Sequence, residues 1–484
     1  MNKTLRLALA AAITLSLALP LCADITNGGF ETGDFTGWTA DSNWKIMDNG
    51  SLWYSGWHGK YWAWSGGKSE AAVGKLTSKP FALDKDAVQI MISGWASIHG
   101  TGKPRRWNYV TLNLADSGKE IDRVYAPDAT VFVPAILDCA AYKGKLAYIQ
   151  AVDDADQDTF SMLCIDDVKT ISQPAWYKQP APPVPTFDAR KSVRIEDGRY
   201  RVEVSRRNGS ITRIYDKKGG LDLIREPRLA ESFKFTLPLP GKEPWQTIEA
   251  NYIIGSQQKL ASIETGSNKI TLRWGKPLVN YLGEKYDVAA TQTIELTPNG
   301  VLMNLRVDNP TKYQIGEIFF PMLGGVTGIG KTMRQLKTTQ FVKPASADSA
   351  SSSEIFRVFA NGTSWGDVGP EQVYTYPKDM PEPWIEFYAP KLGRSAYFGS
   401  HDPADREKVL RLEMKPGISA TTREDGNWPR PEELRGEPAG VVVSFVHFAN
   451  SPAGKVYNAA PVLVQFHNGD WHAGQKIYQK WRGK

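Results

Sequence analysis

Behind Lys3 and Arg6 runs a largely apolar stretch, residues 7–19, with no charge in it. Pro20, Leu21, Cys22, Ala23 and Asp24 follow. A basic start, a short apolar centre and small residues before a polar break make a secretory signal peptide. The stretch is too short to span a bilayer, and no later stretch is long and apolar enough to do so. Cleavage is expected after Ala23, so residues 1–23 are read as the signal peptide and the mature protein as secreted or periplasmic. The competing reading is a lipoprotein modified at Cys22. Leu21 argues against it, because that position favours a small residue.

Beyond the leader, apolar positions recur every second residue or in short β-branched runs. Val88–Gly94, Tyr109–Leu114, Leu146–Val152, Tyr200–Val204, Ile211–Tyr215, Ile270–Trp274, Val301–Val307 and Val441–Val446 all read as strands. Asn208-Gly209, Asn299-Gly300 and Asn361-Gly362 mark turns between them. The Ser-rich run at 345–353 reads as a loop, and only residues 473–481 carry helical spacing. The chain is therefore predicted to be all-β. The Pro-rich residues 173–186 read as a semi-rigid linker. They separate a first module, 24–172, from a larger region, 187–470, with a terminal helix at 471–484.

Composition narrows the function. The formal charge of +6 is spread along the chain, and loss of Lys3 and Arg6 on cleavage brings it to 6 − 2 = +4. Neither value points to nucleic acid. Three Cys exclude a disulfide-dense scaffold. Cleavage removes Cys22 and leaves Cys139 and Cys164, which either form one disulfide or stay as two buried thiols. Of 16 Trp, eight fall between Trp38 and Trp107. Aromatic rings that reach solvent stack on the apolar faces of sugars, and Trp53, Trp57, Tyr61 and Trp62 are the candidates. Trp and Tyr also fill sandwich cores.

The first module carries a resemblance. Asn27-Gly28-Gly29-Phe30-Glu31, with Trp38 closing that motif, and Phe160-Ser161-Met162-Leu163-Cys164-Ile165-Asp166-Asp167 at the far end resemble the galactose-binding-like jelly rolls that serve secreted glycosidases as carbohydrate-binding modules. The resemblance implies a structural Ca²⁺ joining the two ends of the module through Glu31 and Asp166; hard oxygen ligands suit it. The competing reading makes Glu31 a turn cap and Asp166 a backbone acceptor. No organic cofactor is implied. The spacing Asp154-x-Asp156-x-Asp158 starts like an EF-hand loop, but Thr159 and Ile165 replace its Gly and Glu.

The larger region opens on a strand, the Asn208-Gly209 turn and a second strand, which resembles the start of a galactose-mutarotase-like β-supersandwich. Pro383-Trp384-Ile385-Glu386-Phe387-Tyr388, Ser400-His401-Asp402-Pro403 and Gly469-Asp470-Trp471-His472 then follow in the order seen in secreted bacterial glycoside-hydrolase-like proteins. In those, a catalytic (β/α)-barrel comes next. A barrel needs about 250 residues, and three follow Trp481, so the barrel and its carboxylate pair are expected to be absent. Within the supersandwich, a mutarotase-type general acid and base would be His401 with Glu386, or His447. The competing reading has His401 bonding to backbone in its turn. Trp384, Tyr388 and Trp428 are candidate sugar contacts. A lyase would draw on Tyr376, His401 and Arg423.

Residues 325–332 match the P-loop pattern, but no helix is expected after them and the surroundings are not αβ, so a Gly-rich turn is expected and no nucleotide. Three functions stay open. The first is a secreted carbohydrate-binding or accessory protein of polysaccharide utilisation, a variant of which is the non-catalytic half of a split glycoside hydrolase with a separately encoded barrel. The second is an enzyme, lyase or epimerase-like, working in the supersandwich cleft. The third is a structural surface protein.

Overall fold

A computed structural model describes residues 24–48, 54–95, 107–127, 129–156, 161–173, 184–237, 251–280, 282–346, 349–355, 371–415, 438, 440–451 and 453–483. Residues 1–23, read above as a signal peptide, Trp53, Trp428, Arg423 and residues 174–183 of the Pro-rich stretch lie outside the described residues. Among the described residues, no helix is long and apolar enough to cross a membrane.

The chain is all-β. Its first module is built from β1 (Trp38–Ala40), β2 (Lys45–Asp48), β3 (Tyr61–Trp64), β4 (Gly74–Ser78), β5 (Phe81–Ala82), β6 (Ala87–Gly94), β7 (Asn108–Leu114), β8 (Glu120–Tyr125), β9 (Ala129–Asp138), β10 (Leu146–Asp153) and β11 (Leu163–Ile171). The first sheet runs β1-β4-β10-β7-β8, with β5 paired to β10. The second runs β2-β3-β11-β6-β9. Every pairing is antiparallel, for example Val110 opposite Ala151 and Ile165 opposite Ile92. Successive side chains alternate between faces. Val110, Leu112, Ile149 and Ala151 of the first sheet thus meet Ala63, Ile90, Ile92 and Ile165 of the second in one core. The alternate residues point outward, and that fixes which side chains can meet a ligand.

The larger region starts with a four-stranded sheet from Ser192 to Asp222. A six-stranded and a ten-stranded sheet follow. Phe235, Ile318, Leu410 and Phe445 of the six-stranded sheet share one core with Leu272, Ile294, Met303, Phe387 and Val464 of the ten-stranded sheet, so the two pack face to face. Strands Ile315–Val326 and Gly440–Ser451 are each 12 residues long, and three register shifts interrupt their pairing. Such bulges bend long strands.

The P-loop-like stretch differs from expectation in one respect. A five-residue helix, Met333–Lys337, does follow it, capped by the Thr332 side chain. The loop is filled by the protein itself. Ile329 is buried, its N–H donating to Thr339 Oγ1, and a β-carbon at Gly325 would overlap the Glu226 carbonyl.

The terminal helix runs Trp471–Arg482. Asp470 caps it, accepting from the His472 N–H at 3.2 Å, and Gly483 ends it in the left-handed conformation. Trp471, Ile477, Tyr478 and Trp481 lay an apolar stripe on Trp384, Tyr397 and Leu463.

Candidate functional site

Strands Trp384–Ala389, Arg394–Ser400 and Val462–Asn468 lie side by side under that helix. Glu386, on the first of them, is fully buried. Its Oε1 sits 2.7 Å from His467 Nε2, while Oε2 has no hydrogen-bond partner among the described residues. Burial pushes the Glu386 carboxyl up, more than His467 pulls it down. Burial pulls the His467 imidazole down, but the Glu386 carboxylate outweighs it and the pKa ends raised. Gly474 of the helix presses on this pair, since a β-carbon there would overlap Oε1. The expected pairing of Glu386 with His401 is therefore not what the fold assembles.

His401 takes different partners. Its N–H donates to the Pro461 carbonyl at 2.8 Å, and its Nε2 lies 3.1 Å from the Tyr397 hydroxyl. Its ring stacks on Trp481 with centroids 4.6 Å apart. Burial pushes the imidazole down to about 4. His447 is also buried, 3.1 Å from the Phe320 carbonyl, and is pushed down to about 4. Glu386, His401 and His447 are thus all buried, whereas an acid and base that face each other across a sugar ring must reach the ligand. Trp384 is fully buried, its indole N–H donating to Glu382 Oε2 at 2.7 Å, so it cannot stack on a sugar. Tyr388 is half-buried on the same strand. The Tyr376 hydroxyl donates to Asp405 at 3.4 Å.

The Trp-rich segment is also folded inward. Trp62, Trp64, Met91, Phe132 and Cys164 project from the outer face of the second sheet, and residues 54–60 fold back across them. The Tyr54 ring lies 4.9 Å from Trp62 and the Trp57 ring 6.2 Å. Trp62 is fully buried, which removes it as a sugar platform, while Trp57 and Tyr61 are half-buried.

Carboxylates pin this segment. Glu31 accepts from the Lys60 and Tyr61 N–H groups at 2.9 and 3.0 Å. Asp166 accepts from the His58 N–H at 2.7 Å, and Asp167 lies 2.7 Å from His58 Nδ1. Asn27, Phe30 and Asp167 hold positive φ of 51°, 55° and 41° around them, strain that a surrounding structure must enforce. Asp166 is buried, and burial first, then the Asp167 and Glu31 charges, push it up to about 7. Glu31 and Asp166 are both hard oxygen donors of the kind a calcium takes. Both already accept from main-chain N–H groups, as the competing reading of a turn cap and a backbone acceptor has it. Among the described residues no third His, Cys, Asp or Glu gathers with them, so a calcium's remaining oxygens would come from main chain and water.

The disulfide is not formed. Cys139 and Cys164 are free and buried. Cys139 belongs to the core between the sheets and its thiol donates to the Lys85 carbonyl at 3.5 Å, whereas Cys164 faces out from the second sheet. The two thiols occupy opposite sides of one sheet.

A different surface has the character of a ligand face, and the sequence reading missed it. On the outer face of the first sheet, cross-strand pairing sets Tyr109 opposite Tyr125, Thr111 opposite Arg123 and Gln150, and Asn113 opposite Tyr148. The four aromatic and long polar side chains Tyr109, Arg123, Tyr125 and Tyr148 are half-buried, while Thr111 and Asn113 form a buried floor. Arg123 stacks 3.9 Å over the Tyr109 ring and grips Glu120 through Nε and Nη2 at 3.0 and 2.6 Å. Gln150 donates to Thr77 Oγ1 at 3.3 Å. Arg123 also hydrogen-bonds Tyr125, whereas the Tyr109 and Tyr148 hydroxyls have no hydrogen-bond partner among the described residues. The available signal was polar residues at alternate positions of β7, β8 and β10, but strand order was needed to join them.

The edge strand of this sheet, β8, meets the larger region. Asp122, nearly buried, accepts from Lys391 Nζ at 2.6 Å, Arg334 Nη2 at 3.2 Å and the Asp138 N–H at 2.8 Å. Arg334 also binds Asp138. A cleft of about 280 Å³ opens beside these pairs, lined by Ile121, Tyr142, Thr332 and Gln335 among others.

No family model and no curated protein matches the chain. Solved structures are similar at low identity. A galactose mutarotase-like protein from Lactobacillus casei is 9% identical over 57% of this chain and 100% of that one, with a TM-score of 0.35. A galactose mutarotase related enzyme from Lactobacillus acidophilus is 11% identical over 58% of this chain and 98% of that one, with a TM-score of 0.35. An α-mannosidase from Enterococcus faecalis is 10% identical over 83% of this chain but 46% of that one, with a TM-score of 0.32. Likenesses this distant say nothing of what this chain binds.

Proposed function

We propose that the protein is a secreted, non-catalytic carbohydrate-binding or accessory protein of polysaccharide utilisation, with its glycan face on the outside of the first sheet. One observation carries the reading: Tyr125, Arg123, Tyr109, Gln150 and Tyr148 lie across three adjacent strands on one face of the sheet, each half-buried. Rings offer stacking faces, and the Tyr109 and Tyr148 hydroxyls offer hydrogen bonds to a sugar hydroxyl. The histidines and the carboxylate that chemistry would need are closed in elsewhere. A separately encoded catalytic barrel would be the natural partner of such a protein, and a calcium at Glu31 and Asp166 would hold the module's ends.

Affinity gels with a panel of polysaccharides test this, run beside assays for reducing ends and unsaturated uronates. Retardation without product is expected, and Tyr109→Ala should abolish it. Product formation that disappears in Glu386→Gln would instead establish an enzyme.

A further inference from the structure

We propose that the glycan face continues over the edge of the first sheet into the cleft between the two parts of the chain, and that this composite site takes a neutral, hydroxyl-rich chain. The inference rests on the glycan-binding reading of the first sheet.

Position comes first. Arg123 and Tyr125 lie on the edge strand β8, and Ile121 and Asp122 of the same strand line the cleft. A chain lying across the face therefore reaches the cleft within two residues of Arg123. At about 280 Å³ the cleft is just under the ~300 Å³ lower bound for drug-sized ligands, room for a sugar unit and not for a further length of chain.

Charge decides the ligand class. Asp122 and Asp138 are matched by Arg334 and Lys391, and Arg123 on the face is matched by Glu120. An ionic ligand drawn to Asp122, Asp138, Arg334, Lys391 or Arg123 would have to break one of these pairs and leave its partner uncompensated. Lys119, on Tyr142 at the rim, is a cation with no carboxylate partner among the described residues, which is why charged controls belong in the test. A hydroxyl-rich ligand need break none. Gln335 spends Oε1 on the Lys331 N–H at 2.7 Å, and its Nε2 has no partner among the described residues. The Tyr142 oxygen accepts from Lys119 Nζ at 3.2 Å and keeps its own proton to donate. These donors come from opposite sides of the cleft, so only the assembled protein presents both.

The test is calorimetric titration of the full-length protein with xylo-, cello-, manno- and malto-oligosaccharides from disaccharide to hexasaccharide, with oligogalacturonides as charged controls. Tyr142→Ala removes one side of the cleft. Gln335→Glu removes the other side's donors but keeps the oxygen that accepts from Lys331. One neutral series should bind, tightening with length. Both variants should lose about tenfold on the hexasaccharide, the size of one lost hydrogen bond with its packing. Hexasaccharide affinity unchanged in both variants, but lost in Tyr109→Ala, would overturn the composite site and leave the glycan face standing. Preference for oligogalacturonides would overturn the neutral class. Binding to nothing in the panel would overturn both this inference and the reading beneath it.

Discussion

A histidine in a turn after a strand can point into a cleft, and His401 instead lies between Trp481 and Tyr397. Its environment sets a measurable pH response. The unfolded imidazole titrates near 6.5 and the folded one at about 4. Between those values the unfolded chain binds the extra proton, so stability is complete above about pH 6.5 and falls as the pH drops toward 4. The loss is on the order of 3 kcal/mol for such a residue. The midpoint of thermal unfolding in His401→Gln should fall less steeply between pH 7 and pH 4 than in the wild type; equal slopes would mean the imidazole is not held neutral. Gly474 tells a complementary story. Glycine inside a helix costs about 1 kcal/mol against alanine, and here it is required because Glu386 occupies the space of a side chain. Sequence alone marks Glu386 as a candidate acid. Only the fold reveals that a helix backbone covers it.

At the scale of elements, alternation marked eight strands correctly, while the Ser-rich run at 345–353, read as a loop, falls largely in the paired strands Gln340–Ser346 and Ser349–Glu354. Val88–Gly94 falls in β6, Tyr109–Leu114 in β7 and Leu146–Val152 in β10, and residues 473–481 fall in the terminal helix. The proposed ligand face was not readable, because Tyr109, Arg123 and Tyr148 come together only through strand order. The dense Trp run misled for the opposite reason: sequence density says nothing about a segment folding back over its own rings. The acidic clasp on that segment carries a prediction. If calcium bridges Glu31 and Asp166, chelation by EGTA should lower the unfolding temperature. Each kcal/mol of binding energy is worth about 2–4 °C in a domain of this size. Glu31→Gln should remove the dependence on EGTA. A wild-type unfolding temperature indifferent to EGTA would leave the two carboxylates as clasps of the 58–61 backbone alone.

Across the whole molecule, Asp122 joins the two halves of the chain through Arg334 and Lys391. Removing Asp122 takes away the buried anion of this cluster, while Lys391 reaches solvent and Arg334 keeps Asp138, so the loss is about 1.5–3 kcal/mol. Asp122→Ala should therefore split a single calorimetric unfolding transition into two, one per half. A single, unshifted transition would show that the halves are held by other contacts. The buried indoles also govern how the molecule can be watched. Trp62 lies packed under Tyr54 and Trp57 on the second sheet, whereas the proposed ligand face of the first sheet is built from tyrosines. Emission from Trp62 is thus a gauge of whether the clasp on residues 58–61 is shut, and blind to a sugar on the opposite sheet. A titration followed by that emission would read silence at full occupancy.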